Sequence, residues 1–121
     1  MMKTKKNRGF TLIEIMVVVV IIGLLASIAV PAFNKVRNSA REKAIQGNLR
    51  SIANSAQSYF IDNPGAATVT YSQLTSGAQP YLATTIVPVM DETYTGLSLS
   101  TTANTISVTS ATLGKTITVN Y

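Results

Sequence analysis

From Phe10 to Val30 the chain reads FTLIEIMVVVVIIGLLASIAV, in which Glu14 is the one charged residue. As an α-helix this stretch is about 30 Å long, the thickness of a bilayer's hydrocarbon core. A helix that is apolar on every side belongs inside a large protein or a membrane, and 121 residues make only one small domain. The residues before it, MMKTKKNRG, carry Lys3, Lys5, Lys6 and Arg8 and no acid. A basic start followed by an apolar run is either a secretion signal or a membrane anchor.

A cleaved secretion signal would have its charged region at 1–8 and its apolar core at about 15–25. Ser27-Ile28-Ala29 and Val30-Pro31-Ala32 offer small residues for cleavage. Two features oppose this. Glu14 would enter the membrane unpaired, which is costly, and an intramembrane acid is by default functional and partnered. The apolar run also continues into a helical pattern instead of stopping at the cleavage site. Composition narrows the chemistry further. With no Cys there is no disulfide, thiolate nucleophile or Cys-based metal site. With no His, the usual general base near neutrality and the commonest metal ligand are missing. No cofactor and no metal site are expected.

Arg8-Gly9-Phe10-Thr11-Leu12-Ile13-Glu14 and the apolar run behind it resemble the start of the type IV pilins and the related type II secretion pseudopilins. The resemblance is dense over residues 8–33, including Gly23 and Pro31, and only architectural beyond about residue 60. It implies that a membrane prepilin peptidase cuts after Gly9 and methylates the new amine on Phe10. It implies that Glu14 is needed for assembly and that the stretch from Gly23 to Pro31 loses helix in the filament. A small-residue kink in an intact helix is the alternative, since Pro31 and Gly23 are both weak helix formers. The residue chemistry agrees with the cleavage site. Gly9 has no Cβ and permits close approach of an active site. A buried Glu14 carboxylate needs a cation, and the Phe10 amine of its own chain, four residues away on a helix, or of a neighbouring subunit would supply one.

The pattern predicts that the helix continues to about Ile61 with two apolar stripes roughly 150° apart. Phe33, Val36, Ala40 and Ala44 form one, expected to meet neighbouring subunits. Ile45, Leu49, Ile52, Ala56 and Tyr59 or Phe60 form the other, expected to pack on the chain's own globular part. Asn63-Pro64-Gly65 stops the helix. Residues 66–92 hold few regular signals beyond a short helical turn at Tyr71-Ser72-Gln73-Leu74 and an apolar contact at Tyr81-Leu82. From Thr93 the pattern alternates with period two: Leu97 and Leu99, Ile106 and Val108, then Ile117, Val119 and Tyr121. Three antiparallel strands are expected, with turns at Thr101–Asn104 and Thr112–Lys115 and Gly114 available for a positive φ. One face is apolar and the other is Ser/Thr-rich and hydrated.

Asp91-Glu92 is an adjacent acidic pair, but it lacks the spaced oxygen ligands of a calcium loop and reads as a solvated turn. Lys35, Arg37, Arg41, Lys43 and Arg50 scatter around the helix axis, so no specific nucleic-acid binding is expected. Phe10, Phe33, Tyr59 and Phe60 read as packing, not as an electron path. No N-x-S/T acceptor for glycosylation is present. The expected organisation is a leader at 1–9, a membrane and assembly half of the helix at 10–30, its amphipathic half at 31–62, and a small head at 63–121. The fold class is α+β and pilin-like. The expected role is a structural subunit, not an enzyme, that passes from the bilayer through an inner-membrane assembly platform into a homo-oligomeric helical filament. It would start in the inner membrane and end at the cell surface or in the periplasm. A pseudopilin of type II secretion is the close alternative and a secreted binding module a distant one. The formal charge of +5 falls in line: the leader holds four of the ten basic residues, leaving six against five acids.

Overall fold

The computed structural model describes residues 9–83 and 85–121; residues 1–8 of the expected leader lie outside the described residues. The chain divides into two compact units, Met1–Val36 and Arg37–Tyr121. Helix α1, Leu12–Asp62, contributes its first part to one and its second part to the other.

In the first unit, α1 runs through Gly23 and Pro31 without a break in its helical assignment. The helix starts at Leu12, not Phe10. Thr11 precedes the first helical residue and caps it, so the Phe10 amine lies before the helix instead of four residues from Glu14 along it. Among the described residues, the side chains of this unit make no core of their own. Ile13, Val17, Ile21, Leu25 and Val30 are each at least half exposed.

The second unit has a core built on one stripe of α1. Ile45, Leu49, Ile52, Ala53 and Ala56 are buried, with Tyr59 and Phe60 half-buried at its margin. This is the later of the two stripes legible in the sequence, extended by Ala53. The helix stops at Asp62. Asn63 then folds back, its backbone and side-chain N–H groups both donating to the Tyr59 carbonyl at 2.9 Å. Strand β1, Thr68–Thr70, follows, and leads directly into helix α2, Tyr71–Thr75. Gln73 reaches back to accept the Thr70 backbone N–H at 2.8 Å, fixing the start of this single turn.

The strands depart from the expected three-stranded sheet. Among the described residues there are four, in two antiparallel pairs: β1 with β2 (Ser98–Ser100), and β3 (Thr105–Ser110) with β4 (Lys115–Asn120). β2 does not form a hairpin with β3. It pairs back to β1, Val69 opposite Leu99, and the ladder is prolonged by Tyr71 N–H to the Leu97 carbonyl and Thr101 N–H to the Ala67 carbonyl, both 3.0 Å. The β3–β4 hairpin is as patterned. Ile106, Val108, Ile117 and Val119 face the core, and Gly114 takes φ +63° in the turn. On the outer face Thr109 and Thr116 share a hydroxyl contact of 2.9 Å.

Leu49 is fully buried at the centre of this core. Truncating it leaves a cavity that a helix and two strand pairs cannot collapse into without moving several elements. Leu49→Ala is expected to destabilise the head by about 3 kcal/mol, read as the loss of its thermal transition temperature in the full chain held in detergent.

Candidate assembly site

The start of α1 carries a reciprocal hydrogen-bond pattern. The Glu14 carboxylate accepts the Thr11 backbone N–H at 2.7 Å and the Thr11 hydroxyl at 2.8 Å, both through Oε2. The Glu14 backbone N–H donates to Thr11 Oγ1 at 3.3 Å. With Thr11 before the first helical residue and Glu14 third in the helix, this is a capping box. Its sequence signature, a threonine with glutamate three residues on, stands at residues 11–14. Oε1 has no hydrogen bond among the described residues, so half of the carboxylate's acceptor capacity is left over. Gly9 and Phe10 lie just outside the helix, and Phe10 is 85% exposed.

Behind the box, the apolar side chains surround the helix. Ser27, the one hydroxyl between Ile15 and Val30, donates to the Leu24 carbonyl at 2.7 Å. Its polarity is thereby satisfied within the helix. A Cβ placed on Gly9 or Gly23 would meet nothing within 4 Å. Within a single chain neither position requires glycine for space. Phe33 and Val36 are 66% and 68% exposed, and Ala40 is exposed as well. The structure thus brings Thr11 and Glu14 together next to the Gly9–Phe10 bond. Gly23, Pro31, Phe33, Val36 and Ala40 are all exposed. α1 is long and apolar enough to cross a membrane.

One polar cluster was not legible as such. Asp91 is exposed in a bend, as expected of a solvated turn, but Glu92 is 2% exposed and is not solvated. The Glu92 carboxylate accepts the backbone N–H groups of Val89 and Met90 and the Tyr94 hydroxyl, the last at 2.9 Å. Asn48 of α1 donates to the same Tyr94 oxygen at 3.0 Å. Burial pushes the Glu92 carboxyl up, but the hydrogen bonds from Val89, Tyr94 and Met90 outweigh it, and it sits below the ordinary glutamate range. Burial pushes the Tyr94 phenol up to about 12, which keeps it a proton donor to Glu92. Asp91 turns elsewhere. It accepts Ser110 Oγ at 2.6 Å and the Thr112 N–H at 2.9 Å, and these bonds hold it below its ordinary value. The two acids therefore lock the 86–92 loop and the β3–β4 turn separately and do not form one ligand set.

A long N-terminal helix followed by a small α+β head with antiparallel pairs, behind a Gly-Phe junction and a capped first turn, is a pilin-like layout. The comparisons agree. Residues 4–30 match the family described as the prokaryotic N-terminal methylation motif. The chain is 46% identical over 57 residues to the type IV major pilin protein PilA of Myxococcus xanthus, covering 47% of this chain and 26% of that protein. It is 42% identical over 62 residues to type II secretion system core protein G of Pseudomonas aeruginosa, covering 51% of this chain and 44% of that protein. The Escherichia coli protein of the same name is 43% identical over 63 residues, 52% of this chain and 43% of that protein. The chain thus spans under half the length of these relatives. No solved structure matches it. The N-terminal segment is a prokaryotic N-terminal methylation motif, and about half of the chain is homologous to pilins and pseudopilins.

Proposed function

We propose that the chain is the structural subunit of a type IV pilus. α1 holds the precursor in the inner membrane through residues 10–30. A prepilin peptidase cuts between Gly9 and Phe10 and the Phe10 amine is methylated. The assembly platform then moves the subunit from lipid into a helical filament of identical copies. The observation that carries this is the apolar helix that begins two residues after the Gly9–Phe10 junction and is exposed along its whole apolar length. Lipid covers that surface before assembly, and other copies of the same helix cover it afterwards, so extraction from the membrane is offset by burial in the filament. Glu14 and the Phe10 amine of an adjacent copy set axial register. Phe33, Val36 and Ala40 pack between subunits. The open space at Gly23 fits a role that arises only in the filament, where the stretch from Gly23 to Pro31 gives up helix.

Mass analysis of the mature N-terminus tests the core of this proposal. A chain beginning at methylated Phe10 is expected. A chain beginning near Val30 or Phe33 would identify a conventional secretion signal and remove the filament role.

A second reading, a pseudopilin of type II secretion, is favoured by the homology to core protein G in two of the relatives above. Deleting the gene separates the two. Loss of surface filaments supports the pilus, and loss of protein secretion with no change in surface filaments supports the pseudopilin.

A further inference from the structure

The charges of the second unit are unevenly matched. Its cations are Arg37, Arg41, Lys43, Arg50 and Lys115, and its acids are Glu42, Asp62, Asp91 and Glu92. Each acid has a partner within the chain. Glu42 pairs with Lys115 at 3.1 Å. Asp62 accepts the Tyr81 hydroxyl at 3.0 Å, Asp91 is held by Ser110 and Thr112, and Glu92 is buried among its three donors. Arg37, Arg41, Lys43 and Arg50 are in no salt bridge among the described residues. Arg37, Lys43 and Arg50 are exposed and Arg41 is half-buried. These cations are left for an anion from outside the chain.

Their place along the chain indicates which anion. Arg37 follows Val30, the end of the apolar run, by seven residues, and Lys43 follows it by thirteen. Even a fully extended chain holds Arg37 within about 25 Å of that point and Lys43 within about 45 Å. Along a helix the distances are about 10 and 20 Å. A bilayer carries about 5–8 Å of headgroup on each side of its hydrocarbon core, and Arg and Lys heads extend toward it on long apolar stems. A chain anchored through residues 10–30 therefore keeps these cations close to the headgroups at all times. Lys35 stands two residues before Arg37, so four cations fall within nine residues behind the span. That is the density at which basic segments next to a membrane helix hold anionic lipid.

Other anions fit less well. On α1, Arg41 and Lys43 project roughly 40° and 240° round the axis from Arg37, and the core stripe takes part of the surface between them. They do not line up on one rod of phosphates, as a nucleic-acid duplex requires, whereas a headgroup layer meets side chains on several sides of a helix. A second copy of the chain offers little, because its acids at 42, 62 and 91 already hold partners and Glu92 is buried.

We propose that Arg37, Arg41 and Lys43 bind anionic phospholipid headgroups while the chain is held in the membrane. The contact rests on the membrane stage of the function proposed above and gives that stage a lipid partner. Extraction breaks it, so anionic lipid beside the head opposes release from the bilayer.

The chain contains no cysteine, so a fluorophore on Ser39→Cys, an exposed position between Arg37 and Arg41, reports the lipid around these cations without background. The full chain is reconstituted in phosphatidylcholine vesicles that contain a small fraction of spin-labelled lipid, either phosphatidylglycerol or phosphatidylcholine, with the label on the acyl chain next to the headgroup. Quenching by the phosphatidylglycerol is expected to exceed quenching by the phosphatidylcholine about threefold. The two are expected to become equal in about 1 M salt, where charges are screened beyond about 3 Å. The double variant Arg37→Glu, Lys43→Glu, on exposed positions, is expected to bring the ratio to about one with the head's thermal transition unchanged. It leaves the leader cations in place, so the lost selectivity belongs to α1. Equal quenching by the two lipids in the wild-type background, or a ratio unchanged in the double variant, overturns the proposal and leaves the membrane anchor standing. Quenching by neither lipid removes the anchor as well. Loss of the ratio on adding a DNA duplex at equal phosphate concentration assigns the cations to nucleic acid and also overturns the proposal.

Discussion

Glu92→Ala is expected to destabilise the head by about 3 kcal/mol, lowering its transition temperature by roughly 15 °C. The side chain is 2% exposed and accepts three hydrogen bonds, from Val89, Met90 and Tyr94. Removing it strands two backbone donors and a phenol that is also the acceptor for Asn48. The loop and α1 thus lose their shared anchor at once. A domain of this size has on the order of 5–10 kcal/mol of total stability, so the loss is a large part of it. Glu92→Gln keeps one acceptor oxygen but turns an NH2 group toward a donor, and it is expected to recover less than half of the loss. A thermal transition within a few degrees of wild type in Glu92→Ala would mean that water replaces the carboxylate at little cost.

The same group sets an acid limit. The Glu92 carboxyl lies below its ordinary value of 4.5 in the folded head. Between the folded and unfolded values the unfolded chain binds the extra proton, so lowering the pH favours unfolding. The stabilisation is complete above the ordinary value and is lost as pH falls through the folded one. Asp91, also held low by Ser110 and Thr112, adds in the same direction. Thermal unfolding of the wild type between pH 7 and pH 3 is expected to fall away below about pH 4.5, and Glu92→Gln is expected to flatten that fall. Equal slopes in the two proteins would show that Glu92 is not the group responsible.

How far the sequence goes depends on what each element is made of. The core stripe Ile45–Leu49–Ile52–Ala56 and the β3–β4 hairpin were legible because several apolar residues repeat at the period of their element, and Gly114 marks the turn. β1 was not, since three residues with a single buried Val69 carry no period. Its absence from the reading left β2 with β3 as its only visible neighbour, and the short polar interval at Thr101–Asn104 looked like a hairpin turn. The real partner lies some thirty residues earlier, a long-range pairing that local pattern does not encode. Glu92 failed for a related reason. Adjacent acids look solvated unless the donors are known, and two of the three donors to Glu92 are backbone N–H groups, which every residue but proline offers. At the start of α1 the Thr11–Glu14 capping box has a local sequence signature, a threonine with glutamate three residues on, which the lone charge of Glu14 masks.

Under the proposed filament role, Glu14 is the position with the largest expected effect on assembly. In the single chain its Oε2 atom closes the box with Thr11, while Oε1 is unengaged among the described residues. The box holds the carboxylate at the first turn, beside the segment that ends in the Phe10 amine after cleavage. In the proposed filament a neighbouring copy's Phe10 amine would therefore meet a fixed acceptor instead of a mobile one, and the pairing would remove the cost of a lone charge in an apolar surrounding. Three substitutions separate cap from charge. Glu14→Ala removes both and is expected to cut filament yield at least tenfold, with N-terminal processing retained. Glu14→Gln keeps an oxygen that can accept from Thr11 but carries no charge, and its yield is expected to fall nearly as far. Thr11→Val keeps the charge and breaks the box, so a smaller loss, about two- to threefold, is expected from a carboxylate that must be ordered at each contact. Sheared filaments quantified against total membrane-held subunit give all three values. Wild-type yield from Glu14→Gln would reduce Glu14 to a helix cap and leave axial register to the apolar contacts alone.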